Sequence, residues 1–174
     1  MRALVATVAV LAIAASGALA QQKKAPAEAL TFAKKVAASN TFEIQSSELA
    51  AERAQAGDVK SFAQQMIADH TKAGNEFKST LQSANITPPP EQPDAKQKAT
   101  LAKLSKAKGK SFDQAYINAQ LQAHQEAVSL FRGYAKGGKT EPLKTFAAKT
   151  LPTLEQHLQM VQGLKKKGSL ANSH

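Results

Sequence analysis

The sequence predicts an all-α protein, an antiparallel four-helix bundle with a short extra helix in its central connection. Three observations predict it. Apolar residues recur at spacings of three, four and seven over four long stretches, as the buried stripe of an amphipathic helix requires. Glycines and prolines punctuate the chain between those stretches, at Gly57, at Gly109, at Gly137-Gly138 and from Pro88 to Pro93. A weak internal repeat, in which the segment from Gly57 to Ala63 resembles the segment from Glu141 to Ala147, makes the chain two helical hairpins.

The first helix is expected from Pro26 to about Gln55, with Leu30, Ala33, Ala37, Ile44 and Ala51 on its apolar stripe, although this helix admits two stripes. Gly57 ends it. Asp58 is suited to cap a second helix running to about Ala84, which buries Val59, Phe62, Ala63, Met66, Ala73, Phe77 and Leu81. Asn85 to Pro93 carries four prolines, which lack amide donors and hold the chain extended, so it reads as a crossing loop. A short helix from Asp94 to about Ala107 should follow, burying Leu101 and Leu104. Ser111 with Gln114 forms a capping box for a long helix from Phe112 to about Lys136. Thr140 caps the last helix, with Pro142 in its first turn and Leu143, Phe146, Ala147, Leu151, Leu154, Val161 and Leu164 turned inward. Pro152 falls inside that helix and is expected to bend it; the bend either wraps the bundle or opens it towards its interior. A longer central connection between two hairpins is the plan of ferritin-like bundles.

The chain's start reads as a secretory leader: Arg2, an apolar run from Leu4 to Ala15, and a small-x-small site at Ala18-Leu19-Ala20. Residues 1–20 are therefore expected to be removed, and residues 21–174 to form one domain with its core at about 26–164 and a basic, frayed tail at 165–174. The apolar run is too short to span a bilayer, so a soluble protein of the periplasm, able to associate with the outer membrane, is expected. With no cysteine, neither a lipid-bearing thiol nor a disulfide can form, and stability rests on packing. A formal net charge of +10 points to anionic envelope surfaces or another envelope protein as partner. Nucleic acid is not expected, because export removes it and no stacking aromatics accompany the lysines.

His70, His124 and His157 each fall on a different long helix, and each continues an apolar stripe. If the turns at Gly57 and at Gly137-Gly138 share one end of the bundle, a rise of about 1.5 Å per residue puts Glu43, His70, His124 and His157 roughly 18–22 Å below it. Three imidazoles and one carboxylate in one layer suit a transition metal ion such as Zn, Fe, Mn or Cu. Glu48, Asp69 and Glu155 are alternative ligands or outer partners. A simpler account makes the histidines a polar layer that sets helix register. Ile67 and Leu154 stand three residues before His70 and His157, so the Glu-x-x-His pattern of di-iron bundles is absent. No nucleophile elbow, phosphate loop or His-Glu-x-x-His motif is present, and an enzyme ranks last among the readings.

The residues Ser61-Phe62-Ala63, Met66-Ile67, Asp69-His70-Thr71-Lys72, Phe112-Asp113 with Tyr116, His124, and Leu143 to Ala147 through Thr150-Leu151-Pro152 to His157 resemble the domain-of-unknown-function 4142 family. The resemblance runs from about Phe32 to Leu164. It implies an exported bacterial protein of the envelope with a ferritin-like bundle, and it implies that the positions of Glu43, His70, His124 and His157 belong to the family pattern. It implies no particular activity or metal. Two functional readings follow: a metal-binding periplasmic bundle, and a structural or interaction protein that acts through its basic surface.

Overall fold

The computed structural model describes residues 25–171; the leader expected at 1–20 and the terminal His174 lie outside them. Five helices make up the described chain: α1 (Ala27–Arg53), α2 (Gly57–Ser83), α3 (Ala95–Lys106), α4 (Gly109–Gly137) and α5 (Glu141–Ala171). Among the described residues no helix is long and apolar enough to cross a membrane.

The four long helices pack in a ring, α1 against α2, α2 against α5, α5 against α4 and α4 against α1, with α3 laid over α1 and α4. Cross-helix partners give the directions. Phe32, Glu43 and Ser47 of α1, and Gln55 just after it, meet Tyr134, His124, Tyr116 and Asp113 of α4, so rising numbers on one side meet falling numbers on the other. On α2, Asp58, Asp69 and Phe77 meet Lys167, His157 and Phe146 of α5 in the same antiparallel sense.

These directions correct one expectation. The α1–α2 turn sits beside the start of α4, whose Asp113 accepts hydrogen bonds from the Gln55 and Ala56 amides. The α4–α5 turn therefore lies at the opposite end, next to the start of α1, where Thr140 reaches Glu28. The physical reason is the central connection. A proline-rich extended segment followed by twelve helical residues is long enough to carry the chain back along the whole bundle before α4 begins.

Other local expectations shift as well. α1 buries Phe32, Val36, Phe42, Glu43, Ser46 and Ser47, whereas Leu30 is exposed and Ile44 and Ala51 are half-buried. Phe32 and Phe42 carry more apolar area than the alanines that surround them, and they set the rotation of the helix. α2 begins at Gly57 with no side-chain cap, so the expected cap at Asp58 does not form, and the Asp113 carboxylate from α4 accepts from the Gln55 and Ala56 amides just ahead of the helix. α4 begins at Gly109, and the Ser111 hydroxyl donates back to the Lys108 carbonyl, so the expected box at Ser111 does not form. A capping box is present instead at Asp94 and Gln97 of α3. α5 continues through Lys165–Lys167 to Ala171, where a frayed tail was expected; Lys165 meets Asn118 and Lys167 meets Asp58, which gives the segment partners. Pro152 lies inside α5 on its exposed side, facing away from the interior.

The core divides into two clusters. One gathers Phe32, Val36, Phe77, Phe131, Phe146 and Leu154 near the α4–α5 turn. The other gathers Phe62, Met66, Phe112, Tyr116, Ile117 and Val161 near the α1–α2 turn. Between them lies a layer of buried polar side chains.

Candidate metal centre

Helical periodicity builds that layer. His70 follows Phe62 and Met66 on the inner face of α2, His124 follows Tyr116 and Gln120 on α4, and His157 lies between Leu154 and Val161 on α5. Each helix buries its stripe against two neighbours, so an imidazole on the stripe is carried inside with it. His124 and His157 are each 1% exposed.

The three rings form a nearly equilateral triangle, with centroids 5.8 Å apart for His70 and His124, 5.7 Å for His70 and His157, and 5.5 Å for His124 and His157. One ring nitrogen from each lies within 4.8 Å of the other two.

Hydrogen bonds to the outside fix the protons. His70 Nδ1 is 3.1 Å from Asn40 Oδ1, His124 Nδ1 is 3.0 Å from the Gln120 carbonyl, and His157 Nε2 is 3.0 Å from Asp69 Oδ2. Each partner is an acceptor, so each of these nitrogens carries the hydrogen and donates it. The opposite nitrogens, His70 Nε2, His124 Nε2 and His157 Nδ1, are buried and have no hydrogen-bond partner. These three nitrogens therefore carry lone pairs, and no protein donor reaches them. Buried polar atoms are nearly always partnered, so three such nitrogens in one layer make it a candidate metal site.

Charge on His70 and His157 is disfavoured. Burial, then the neighbouring His124 and His157, holds His70 well below the ordinary imidazole value. Burial and His124 also lower His157, against the opposing pull of Asp69. Neutral imidazole is the form that ligates metals.

Glu43 lies in the same layer and is 2% exposed, but it is not among the converging ligand atoms. Its Oε1 is 3.8 Å from His124 Nδ1, the nitrogen that donates to Gln120, so the carboxyl sits at the outward edge of that ring. Burial raises its proton affinity, with His124 and Gln120 opposing. Asp69 holds His157 from outside, as an outer partner would. Glu48 is exposed and lines a surface groove with Glu52 and Leu101, and Glu155 pairs with Arg132; neither alternative reaches the layer. Helix rotation explains both, since each acid projects from the outer face of its helix.

Sequence reasoning missed Asn40, Gln120 and the polar rungs beside them. Gln120 Nε2 donates to Ser46 Oγ at 3.0 Å, and Ser47 Oγ pairs with Tyr116 at 2.9 Å. A signal for Asn40 was present in Gly74, four residues after His70. Glycine inside a helix costs about 1 kcal/mol against alanine and marks a close approach. A Cβ there would lie 2.8 Å from Asn40 Nδ2.

The family model for a domain of unknown function, DUF4142, matches residues 14–164. Among solved structures, a presumed secreted DUF305 protein from Streptomyces coelicolor aligns with a TM-score of 0.69 at 14% identity, covering 82% of this chain and 92% of that one. A DUF305 fragment from Deinococcus radiodurans aligns with a TM-score of 0.70 at 14% identity, covering 82% of this chain and 98% of that one. At such identity the likeness is one of fold. Among curated proteins nothing matches. The five-helix architecture and the match over most of its length make this chain a member of the DUF4142 family.

Proposed function

We propose that this chain is an exported envelope protein that holds one transition metal ion between His70, His124 and His157. The observation that carries the reading is the set of three partnerless imidazole nitrogens, each opposite a nitrogen whose hydrogen is already donated outward. A neutral all-nitrogen set suits zinc, copper or iron better than manganese, magnesium or calcium. Three nitrogens at about 2.0–2.1 Å from an ion lie roughly 3.5 Å apart, so binding would shorten separations that are at most 4.8 Å by no more than roughly 1.3 Å. Two acids balance a divalent charge, Asp69 through His157 and Glu43 beside His124. Three protein ligands leave a coordination position open, which fits buffering, storage or redox protection of the metal. Export rests on the leader at residues 1–20 and agrees with the description of the Streptomyces protein as a presumed secreted one.

Protein purified without a histidine tag should carry close to one metal ion per chain, and a variant combining His70→Ala with His124→Ala should carry none. Metal-free wild-type protein that takes up no ion from a zinc, copper or iron solution would overturn the reading. A second reading is favoured by the exposed lysines Lys96, Lys98, Lys103, Lys106, Lys108 and Lys110 on and after α3. It makes the chain an interaction protein of the envelope, and salt-sensitive binding to anionic vesicles with no bound metal would select it.

A further inference from the structure

One helical turn from the imidazole layer, on the side of the aromatic cluster, the four long helices leave a crevice of about 40 Å³. Each helix contributes the residues that its own periodicity places there. Gly74 follows His70 by four positions, Ala127 follows His124 by three, Leu154 precedes His157 by three, and Asn40 precedes Glu43 by three. A turn rises about 5.4 Å, so the crevice lies directly beneath the layer. His70 is a wall of both.

The chemistry of the walls selects the guest. Val36, Phe77, Phe131, Phe146 and Leu154 form the buried inner end, and no lysine, arginine, aspartate or glutamate lines the space. Ions are excluded by the lack of a counter-charge. A water molecule needs two to four polar partners; the buried walls offer His70 alone, while the polar Ser39, Asn40 and Thr150 are half-buried, and Asn40 Oδ1 is already engaged by His70 Nδ1. By the same measure of volume one water occupies about 10–15 Å³, so there is room for a molecule of two or three heavy atoms.

We infer that this crevice is a pocket for a small, uncharged, apolar molecule of diatomic size, such as dioxygen or nitric oxide, held against the imidazole layer. Its use as the pocket of a metal ligand rests on the metal reading above, whereas its occupancy does not. The three-histidine set has an open position, and His70 joins that set to the crevice.

Xenon is the probe for the metal-free protein, read by methyl NMR. Xenon should shift the Val36 and Leu154 methyl signals in a saturable way and leave Val59 and Val161, in the other cluster, unmoved. Ala127→Val, or Ala73→Val if the first variant fails to fold, should weaken the xenon response on the order of tenfold by filling the space. Unmoved Val36 and Leu154 signals, or an equal response in the filled variant, would overturn the pocket. In protein loaded with ferrous iron, nitric oxide should give an iron-nitrosyl paramagnetic signal, with affinity reduced on the order of tenfold in the filled variant at unchanged iron content. Equal affinity in both would overturn the ligand role. Protein that admits xenon and takes up no metal contradicts the metal reading and leaves the pocket; protein that takes up metal and excludes xenon does the reverse.

Discussion

The two halves of the core, on either side of the imidazole layer, are built differently. On the side of the α4–α5 turn the interior is aromatic: Phe32 packs edge-on to Phe131 and stacked on Tyr134, and Phe146 contacts both Phe77 and Phe131. On the side of the α1–α2 turn, polar rungs cross between α1 and α4, Ser46 with Gln120 and Ser47 with Tyr116, within an otherwise apolar cluster. The aromatic half therefore draws its stability from area and shape. The other half also specifies register, because sliding α1 against α4 would leave a buried serine, glutamine or tyrosine unpaired. The layer between them follows neither rule, since its inward nitrogens are unpaired in place.

The largest expected effect comes from the aromatic half. Phe32→Ala should destabilise the protein by about 3–5 kcal/mol in chemical denaturation, through lost burial and a residual cavity, while metal content per folded chain stays the same. Metal lost in proportion to stability would mean that the layer depends on that half's packing. In the rung half, Ser47→Ala leaves the Tyr116 hydroxyl buried without its partner and should cost about 1–3 kcal/mol. Adding Tyr116→Phe should recover much of that loss. A double variant no more stable than Ser47→Ala would argue against the rung.

Smaller effects are expected in the layer itself. His70→Leu removes a buried lone pair but also the half-buried hydrogen bond to Asn40, so the metal-free protein should change in stability by no more than about 1 kcal/mol, while stabilisation by added metal disappears. Strong destabilisation of the metal-free variant would favour the register account of the histidines. The pH dependence has a definite sign. His70 and His157 are held below the ordinary value of 6.5, so as pH falls through that value the unfolded chain takes up protons that the folded one resists. Metal-free protein should therefore lose thermal stability as pH is lowered from 7.5 towards 5, with the unfolding midpoint as the readout. A midpoint that rises over this range would contradict the neutral, buried rings.

Much of this was legible in the sequence, and the reason differs by element. Helix number and the turn regions followed from Gly57, Gly137-Gly138 and the proline run, whose backbone constraints act locally. The common height of His70, His124 and His157 was also legible, although the second hairpin runs opposite to the direction assumed. Each histidine lies near the middle of its bundle segment, and a mid-height position survives reversal of the helix. The direction itself was not legible, because it depends on how far the central connection travels. The rotation of α1 was obscured by its many alanines, and with it the choice among Glu43, Glu48 and Asn40. Asn40 depends on a contact with a different helix, made possible by Gly74, and no pattern within α1 encodes it.

The central claim is that three imidazole lone pairs, and no proton, face one another in the interior. Nitrogen-15 NMR of the histidine rings measures this directly in metal-free protein and after one equivalent of zinc. The account predicts neutral rings with the hydrogen on Nδ1 of His70 and His124 and on Nε2 of His157, and zinc-induced shifts at the three opposite nitrogens. A hydrogen on any of those three nitrogens, or rings that do not respond to zinc, would contradict it.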